Sequence, residues 1–296
     1  MRLLRTELSR FWARRATRWM FVLALAVIAL GIGIAAVHSK VRTGHQVQFT
    51  CSTVVGQTTT PDNPLGGGNC IPTTSETGRI DQRYKLETEL GKTISGSGIA
   101  LLLLSVLLGA TFIGGDYVGG ALGGQLTFEP RRVYLYAIKA LAVAIASAIV
   151  TAFLLVVLSL AAAVLAETRG VVGHLDASWY LHRAGDIARV SAACALIAAL
   201  AFAVTVVARR TVAAVVAFLA FAFIVEPALT SAFHRLEGTT PVYGFIATVL
   251  NEVAHQGGDS GLPGFHSLGH AALVAGAWAT AFLVIGGVTF ARREIR

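Results

Sequence analysis

The chain has 296 residues, of which 55% are hydrophobic and 14% are charged, and its mean hydropathy is +0.68. A soluble domain usually carries about a quarter charged residues, so this composition excludes an ordinary soluble enzyme and indicates a surface that faces lipid. The net charge of +8 could suggest a nucleic-acid partner, but the arginines lie in short clusters at the ends of apolar blocks, as the positive-inside rule predicts. We therefore expect no nucleic-acid partner.

The first 18 residues contain six arginines, and four apolar side chains fall on one side of a helical wheel: Leu4, Leu8, Phe11 and Trp12. This pattern predicts a basic amphipathic helix that lies on the membrane surface. The alternative is a charged flank with a chance apolar stripe. The apolar run that follows is too long for a signal peptide and lacks a convincing cleavage site, so we interpret it as a retained anchor.

Apolar blocks long enough to cross a bilayer recur along the chain. They predict a single all-α membrane domain over residues 1–296. The third block exceeds the roughly 20 residues that a span needs, which indicates a tilted or projecting helix. The six predicted spans are 19–37, 94–115, 136–165, 188–208, 211–233 and 271–290.

Short Lys and Arg clusters decide the orientation, because long loops weigh little in the positive-inside rule. The clusters lie in the N-terminal segment, between spans two and three, at Arg209 and Arg210, and in the C-terminal tail. Both termini are therefore expected in the cytoplasm, with the protein in the cell membrane. The external loops are then 38–92, 167–186 and 234–269.

The first external loop is rich in Thr, Gly and Pro, which is typical of loops and turns without a core of their own. Residues 79–92 have mixed charge and few helix breakers, so they could form a helix that leads into span two. In the third external loop, apolar residues from Val242 to Val253 follow helical spacing and predict a short helix at the outer membrane interface.

The chain has three cysteines. Cys51 and Cys70 share the first loop and could form a disulfide if that loop is extracytoplasmic; two free thiols are the alternative. Cys194 lies within an apolar block and is interpreted as a packing residue.

Three motif-like patterns do not carry the chemistry that they imitate. His266 and His270 have the spacing of a metalloprotease pair, but Ser267 stands where the catalytic Glu is required, so we expect no metal site. The string Gly91, Lys92, Thr93 imitates the end of a phosphate-binding loop, but its first Gly is replaced by Leu86.

Asp116, in IGGDYVGG, is similar to an intramembrane aspartyl protease motif. Such enzymes need two carboxylates that share a proton, and no other span supplies a partner aspartate. An ordinary interfacial acid at the end of a helix is the simpler reading. We therefore expect that the chain is not an enzyme.

Glu226, followed by Pro227, is the one acid well inside an apolar block. A residue at this depth should face protein or water, and the proline should kink the helix. Glu226 could line a translocation path or cap an outer vestibule, and the sequence leaves both open.

The segment between spans two and three resembles the permease subunits of ABC-2-type ATP-binding-cassette exporters. In that family an acid at the end of span two precedes a glycine turn, a Leu, a Thr, a Pro-x-Arg element and a Lys at the start of span three. The corresponding residues, with Arg131 inside the Pro-x-Arg element, are Asp116, Gly119, Gly120, Leu122, Leu126, Thr127, Pro130, Arg131, Arg132 and Lys139.

This resemblance implies a half-transporter that pairs with a second permease copy or a homologous permease. A separate cytoplasmic ATPase subunit would dock on a short coupling helix within 121–132. ATP and Mg²⁺ would be bound by that partner, and no cofactor is expected on this chain. The long first loop departs from the family, so substrate handling there cannot be carried over.

Two other functions stay open at this stage. The chain could be a membrane anchor or receptor whose external loop senses a ligand without transport, or, more remotely, an intramembrane hydrolase. For the permease, spans dominated by Ala, Val and Leu favour a hydrophobic or amphipathic substrate, a lipid or a peptide over a small ion.

Overall fold

The structure is a computed structural model that describes residues 2–13, 15–39, 41–51, 70–81, 84–121, 124–125, 131–173, 175–233, 238–250 and 267–292. Nine α-helices and two strands are used below. In chain order they are α1 (Arg2–Ala13), α2 (Arg15–His38), β1 (Val41–Cys51), β2 (Cys70–Asp81), α3 (Leu86–Val118), α4 (Arg132–Arg169), α5 (Ala177–Ala208), α6 (Thr211–Ala220), α7 (Glu226–Ala232), α8 (Pro241–Val249) and α9 (Leu268–Arg292).

Six helical segments of the described chain are long and apolar enough to cross a membrane, which confirms the predicted all-α polytopic fold. Each predicted span lies within or almost within one of them. The helices extend further than the apolar blocks, and α3 begins at Leu86 where the hydropathy pattern placed the span from 94. The six segments are Thr17–Val37, Leu86–Val118, Arg132–Arg169, Ala177–Ala208, Thr211–Ala232 and Leu268–Arg292.

Helix α5 lies at the centre of the bundle, packed against α3, α4 and α9. Its backbone approaches α3 closely at Gly109, where a Cβ atom would lie 2.2 Å from the carbonyl oxygen of Ala198. Small residues permit such backbone contacts between membrane helices, and packing rather than the hydrophobic effect holds these helices together in lipid. Gly109 therefore sets the distance between α3 and α5.

A small polar cluster joins three helices at this depth. The Ser147 hydroxyl lies 3.0 Å from the Ser105 hydroxyl and 3.1 Å from the carbonyl oxygen of Cys194. Cys194 itself is a buried free cysteine, in agreement with the predicted packing role. Hydroxyl contacts of this kind satisfy polar groups where water is absent.

The fifth span is not a continuous α-helix. A π-helical turn, Phe221–Val225, separates α6 from α7, and Pro227 follows it within the first turn of α7. The π turn closes with the Glu226 N–H donating to the carbonyl of Phe221. Single π turns often mark functional positions, and this one lies directly before Glu226.

The bundle has two ends. At the end that carries α1, called the α1 end, α3 and α9 finish and α4 and α6 begin. At the opposite end α2 finishes and α3 and α9 begin; it is called the hairpin end, because the paired strands β1 and β2 lie between α2 and α3 in the chain. The tight connection predicted at Arg209 and Arg210 is confirmed at the α1 end, since α5 stops at Ala208 and α6 starts at Thr211.

The first predicted loop contains secondary structure that the sequence analysis did not predict. Strands β1 and β2 pair antiparallel, with Val41 opposite Asp81 and Cys51 opposite Cys70. Both strands are rich in Thr, Val and Ile, which suit extended backbone. The helix proposed for 79–92 was therefore wrong at its start, because the strand continues to Asp81. The Cys51 and Cys70 side chains lie outside the described side chains, so their disulfide stays a prediction.

Candidate functional site

Three charged side chains meet inside the α1 end of the bundle. The ammonium group of Lys139 on α4 donates to Asp116 Oδ2 on α3 at 2.6 Å and to Glu7 Oε2 on α1 at 3.2 Å. Their side chains are only 1%, 7% and 4% exposed, respectively. The Arg10 guanidinium, which is half-exposed, lies 3.3 Å from Glu7 Oε1. Glu7, Asp116 and Lys139 are called the ion cluster below. With the adjacent Arg10 included, two carboxylates face two cations, so the charges balance.

Aromatic rings shield the ion cluster. The Phe112 ring lies one helical turn before Asp116, and its centroid is 5.5 Å from the Lys139 ammonium nitrogen. On the other side, the Phe112 ring contacts the Phe11 ring of α1 at 5.8 Å between centroids. Water is therefore largely excluded, and a buried charge in such a place depends strongly on its partner.

The end of α3 is defined by the two glycines that the sequence singled out. Gly119 caps the helix by donating its N–H to the carbonyl of Gly115 at 3.0 Å. Gly120 follows with a φ of +64°, in the left-handed region that glycine adopts without steric cost. The chain consequently leaves the direction of α3 at Gly120, four residues after Asp116.

The structure brings together some of the predicted coupling residues. Asp116 and Lys139 are in direct contact, Gly119 and Gly120 form the turn, and Arg131 and Arg132 lie at the start of α4. Four predicted residues, Leu122, Leu126, Thr127 and Pro130, lie outside the described part of the chain. Their roles, and the coupling helix itself, stay predictions.

Glu7 is the residue of this site that sequence analysis missed. The chain carried a usable signal, because Glu7 lies three residues after Leu4 and four before Phe11, within the apolar stripe. An acid on the apolar face of a helix with six surrounding arginines needs a buried cation. Only the folded bundle reveals that this cation is Lys139.

The amphipathic helix is present as α1, but its apolar stripe contacts protein. Phe11 is 2% exposed and Leu8 packs against the core, whereas Trp12 remains 42% exposed. Leu4 is half-buried. The stripe therefore docks on the bundle, with Trp12 at its edge, rather than facing lipid alone.

At the other side of the bundle, Glu226 caps a helix. Its carboxylate accepts from the Thr240 hydroxyl, from the Val242 N–H at 3.1 Å and from the Tyr243 N–H at 2.8 Å. The first N–H groups of α8 have no partner within the helix, and they favour negative charge. The Glu226 carboxylate thus caps the start of α8, and the two predicted roles, lining a translocation path or capping an outer vestibule, both stay predictions.

The His270 side chain contacts a backbone carbonyl group of the protein. Its Nε2 lies 3.2 Å from the carbonyl oxygen of Gly238. Across the described ranges, no group of three or more His, Cys, Asp or Glu side chains is placed to hold a metal ion. His266 falls outside those ranges.

Comparison with known proteins gives no relative: no protein-family model matches this chain, and no curated protein sequence matches it. The class is defined by the fold, because six apolar helices identify a multi-pass α-helical membrane protein.

Proposed function

We propose that this chain is the membrane-spanning permease subunit of an ATP-binding-cassette exporter of the ABC-2 type. In this proposal the α1 end faces the cytoplasm of the cell, and a separate ATPase subunit docks on the segment between α3 and α4. The chain binds no nucleotide, and ATP hydrolysis belongs to the partner.

The observation that carries the proposal is the ion cluster of Glu7, Asp116 and Lys139. Asp116 and Lys139 stand at the two ends of the proposed docking segment, one on α3 and one on α4, and Glu7 attaches α1 to both. Motion imposed on the segment is therefore passed to three helices together. Rigid-body coupling of this kind requires such tightly packed joints.

The exposed helix faces support a second permease copy. Within the described chain, only 0%, 11% and 22% of the residues in the most apolar stretches of α2, of α6 with α7, and of α9 are buried, whereas 72% are buried in α5. Pairing of two copies through the exposed face of α6 and α7 would enclose a translocation path between them.

The contacts of Asp116 support the permease over the hydrolase. An aspartyl hydrolase uses two carboxylates that share a proton, whereas the Asp116 carboxylate lies 2.6 Å from an ammonium group. The anchor or receptor alternative differs in its partner, because it needs no ATPase.

The test is co-purification with an ATPase subunit encoded near this chain. We expect a stable complex, and we expect a variant combining Leu126→Ala, Pro130→Ala and Arg132→Glu to lose about tenfold in ATPase affinity, or about 1.4 kcal/mol. Arg169→Glu is the matched control, because Arg169 is an exposed arginine at the hairpin end. A triple variant that folds and binds the ATPase as the wild type does would refute the coupling assignment, and failure to find an ATPase partner would favour the anchor.

A further inference from the structure

An apolar cleft opens along the membrane-spanning part of α2. It has a volume of about 520 Å³, within the roughly 300–1,000 Å³ typical of ligand sites. Helix α2 forms one wall and α3 the other, and Leu155 and Leu158 of α4 form the floor. Leu103 and Leu107 of α3, each 39% exposed, border its open side.

Helix α2 is held at both ends and separated from α3 between them. Near the α1 end, the Phe21 ring packs on the Phe153 ring of α4 at 5.6 Å. Near the hairpin end, the Ser39 hydroxyl donates to the carbonyl of Arg169 at 3.1 Å and accepts from the Tyr84 N–H at 2.9 Å. The cleft is therefore present in the folded protein, and a ligand can enter it while α2 keeps its contacts with α4 and with Tyr84.

The cleft has one polar end. The Tyr84 hydroxyl lies 3.1 Å from Thr93 Oγ1, which itself donates to the carbonyl of Glu89 at 2.8 Å. Burial raises the pKa of the Tyr84 phenol, so this group keeps its hydrogen. Because Thr93 uses its own hydrogen on Glu89, the Tyr84 O–H donates to Thr93 Oγ1. Rotation of this O–H would let it donate to an ester oxygen at the hairpin end of the cleft instead, whereas the remaining walls are almost entirely apolar.

The dimensions fit a hydrocarbon chain. On α3 the lining residues run from Thr93 to Leu107, which at about 1.5 Å per residue is roughly 21 Å. One leaflet of a bilayer core is about 15 Å deep, half of the roughly 30 Å total, so the cleft is long enough to hold one whole acyl chain. Water is unfavourable in an apolar cleft, because it finds no hydrogen-bond partners there. An empty cleft is also unfavourable, because the side chains that line it lose dispersion contacts. An apolar occupant avoids both costs.

We propose that the cleft between α2, α3 and α4 is a binding site for one acyl chain of a bilayer glycerophospholipid, whose ester region lies beside Tyr84 and Thr93. The chain enters sideways from the leaflet at the hairpin end. The site is separate from the ion cluster and from the proposed ATPase docking segment.

Glycines on both walls allow the cleft to be filled by substitution. A Cβ atom added at Gly31 on α2 or at Gly96 on α3 meets no heavy atom within 4 Å, so a leucine at either position extends into open space. Gly33, also on α2, is equally unobstructed but does not line the cleft. Because leucine favours helix over glycine, these substitutions should not prevent folding.

The experiment uses the full chain in phosphatidylcholine and phosphatidylglycerol vesicles that contain a phospholipid with a photoreactive group in its acyl chain. Mass spectrometry measures adducts on the cleft peptides of α2 and α3, relative to adducts at Leu273, a residue of α9 that is 75% exposed and lies outside the cleft. When the detergent wash precedes irradiation, we expect the wild type still to form the cleft adducts, whereas adducts at Leu273 no longer form.

The double variant Gly31→Leu with Gly96→Leu should lower the cleft adducts by about tenfold and leave Leu273 adducts unchanged. Gly33→Leu should match the wild type at both positions. Equal cleft labelling in the filled variant and the wild type, or loss of cleft labelling after a detergent wash that precedes irradiation, would overturn the proposal. The measurement needs no ATPase and no transported compound, so its outcome is independent of the proposed permease function.

Discussion

Two buried carboxylate sites solve the same physical problem in different ways. At the α1 end, Glu7 and Asp116 are neutralised by the ammonium group of Lys139, and the three residues come from three helices distant in sequence. Near α8, Glu226 has no such cation among its described contacts and is satisfied by N–H and hydroxyl donors of residues 240–243.

The difference between a cation and neutral donors as the partners of these carboxylates determines what each site can do. An ion cluster joins separate helices and is costly to disrupt, because removing one charge strands the others in a medium of low dielectric constant. A capped helix terminus involves weaker, dispersed donors and fixes only the position of α8. The ion cluster is accordingly the site that can transmit motion between helices. The Glu226 contacts fix the start of α8 relative to the fifth span.

The largest expected effect is that of Lys139→Met. Glu7 and Asp116 then lose the buried cation that they share, so we expect the free energy of unfolding to fall by about 3–5 kcal/mol. Unfolding in mixed detergent micelles, followed by loss of helical circular dichroism, measures this change.

Lys92→Met is the matched control, because Lys92 pairs with Glu89 at 3.2 Å on an exposed surface. Its effect should stay below about 1 kcal/mol. Combining Lys139→Met with Glu7→Gln and Asp116→Asn should recover part of the stability by removing the stranded charges. Equal stabilities of the Lys139 and Lys92 variants would show that the ion cluster is not a structural joint.

A smaller effect is expected for Glu226→Gln. The amide supplies one acceptor oxygen in place of two, so one donor of α8 loses its partner at a cost of about 1–3 kcal/mol. Amide hydrogen exchange at Val242 and Tyr243 should become faster in this variant. Glu167→Gln, at an exposed position, is the control. Unchanged exchange at both amides would contradict the capping role of Glu226.

The smallest effect is expected for Arg10→Ala. Arg10 is 54% exposed, so its contact with Glu7 is screened by solvent, and its loss should change the unfolding free energy by no more than about 0.5 kcal/mol. The same unfolding assay at low and high salt tests this. A loss as large as that of Lys139→Met would mean that overall charge balance, not the buried contact, stabilises the cluster.

Local patterns in the chain predicted much of this architecture. The six spans, α1, α8 and the tight connection at Arg209 were all foreseeable, because apolar blocks, helical periodicity and charge clusters are local properties. The strands β1 and β2 were missed, since their Thr-rich sequence also suits a loop and their pairing joins segments far apart in the chain.

The candidate site was only half foreseeable. Asp116 and Lys139 were found through a family resemblance that concerns a contiguous segment, whereas Glu7 was assigned to a surface helix. Its contact with Lys139 spans 132 residues of sequence, and no periodicity within α1 names that partner. The same holds for Glu226, whose donors become apparent only when α8 folds back against the fifth span.

The sequence by itself determined that this is a helical membrane protein with six spans, because in lipid every backbone group must be satisfied within its own helix or a closed sheet. Tertiary structure alone decided which buried charges meet, which helix end Glu226 caps, and that α2 stands apart from α3 to form the cleft. Those outcomes depend on helix crossings such as Gly109 against Ala198, and crossings are properties of pairs of surfaces rather than of any one segment.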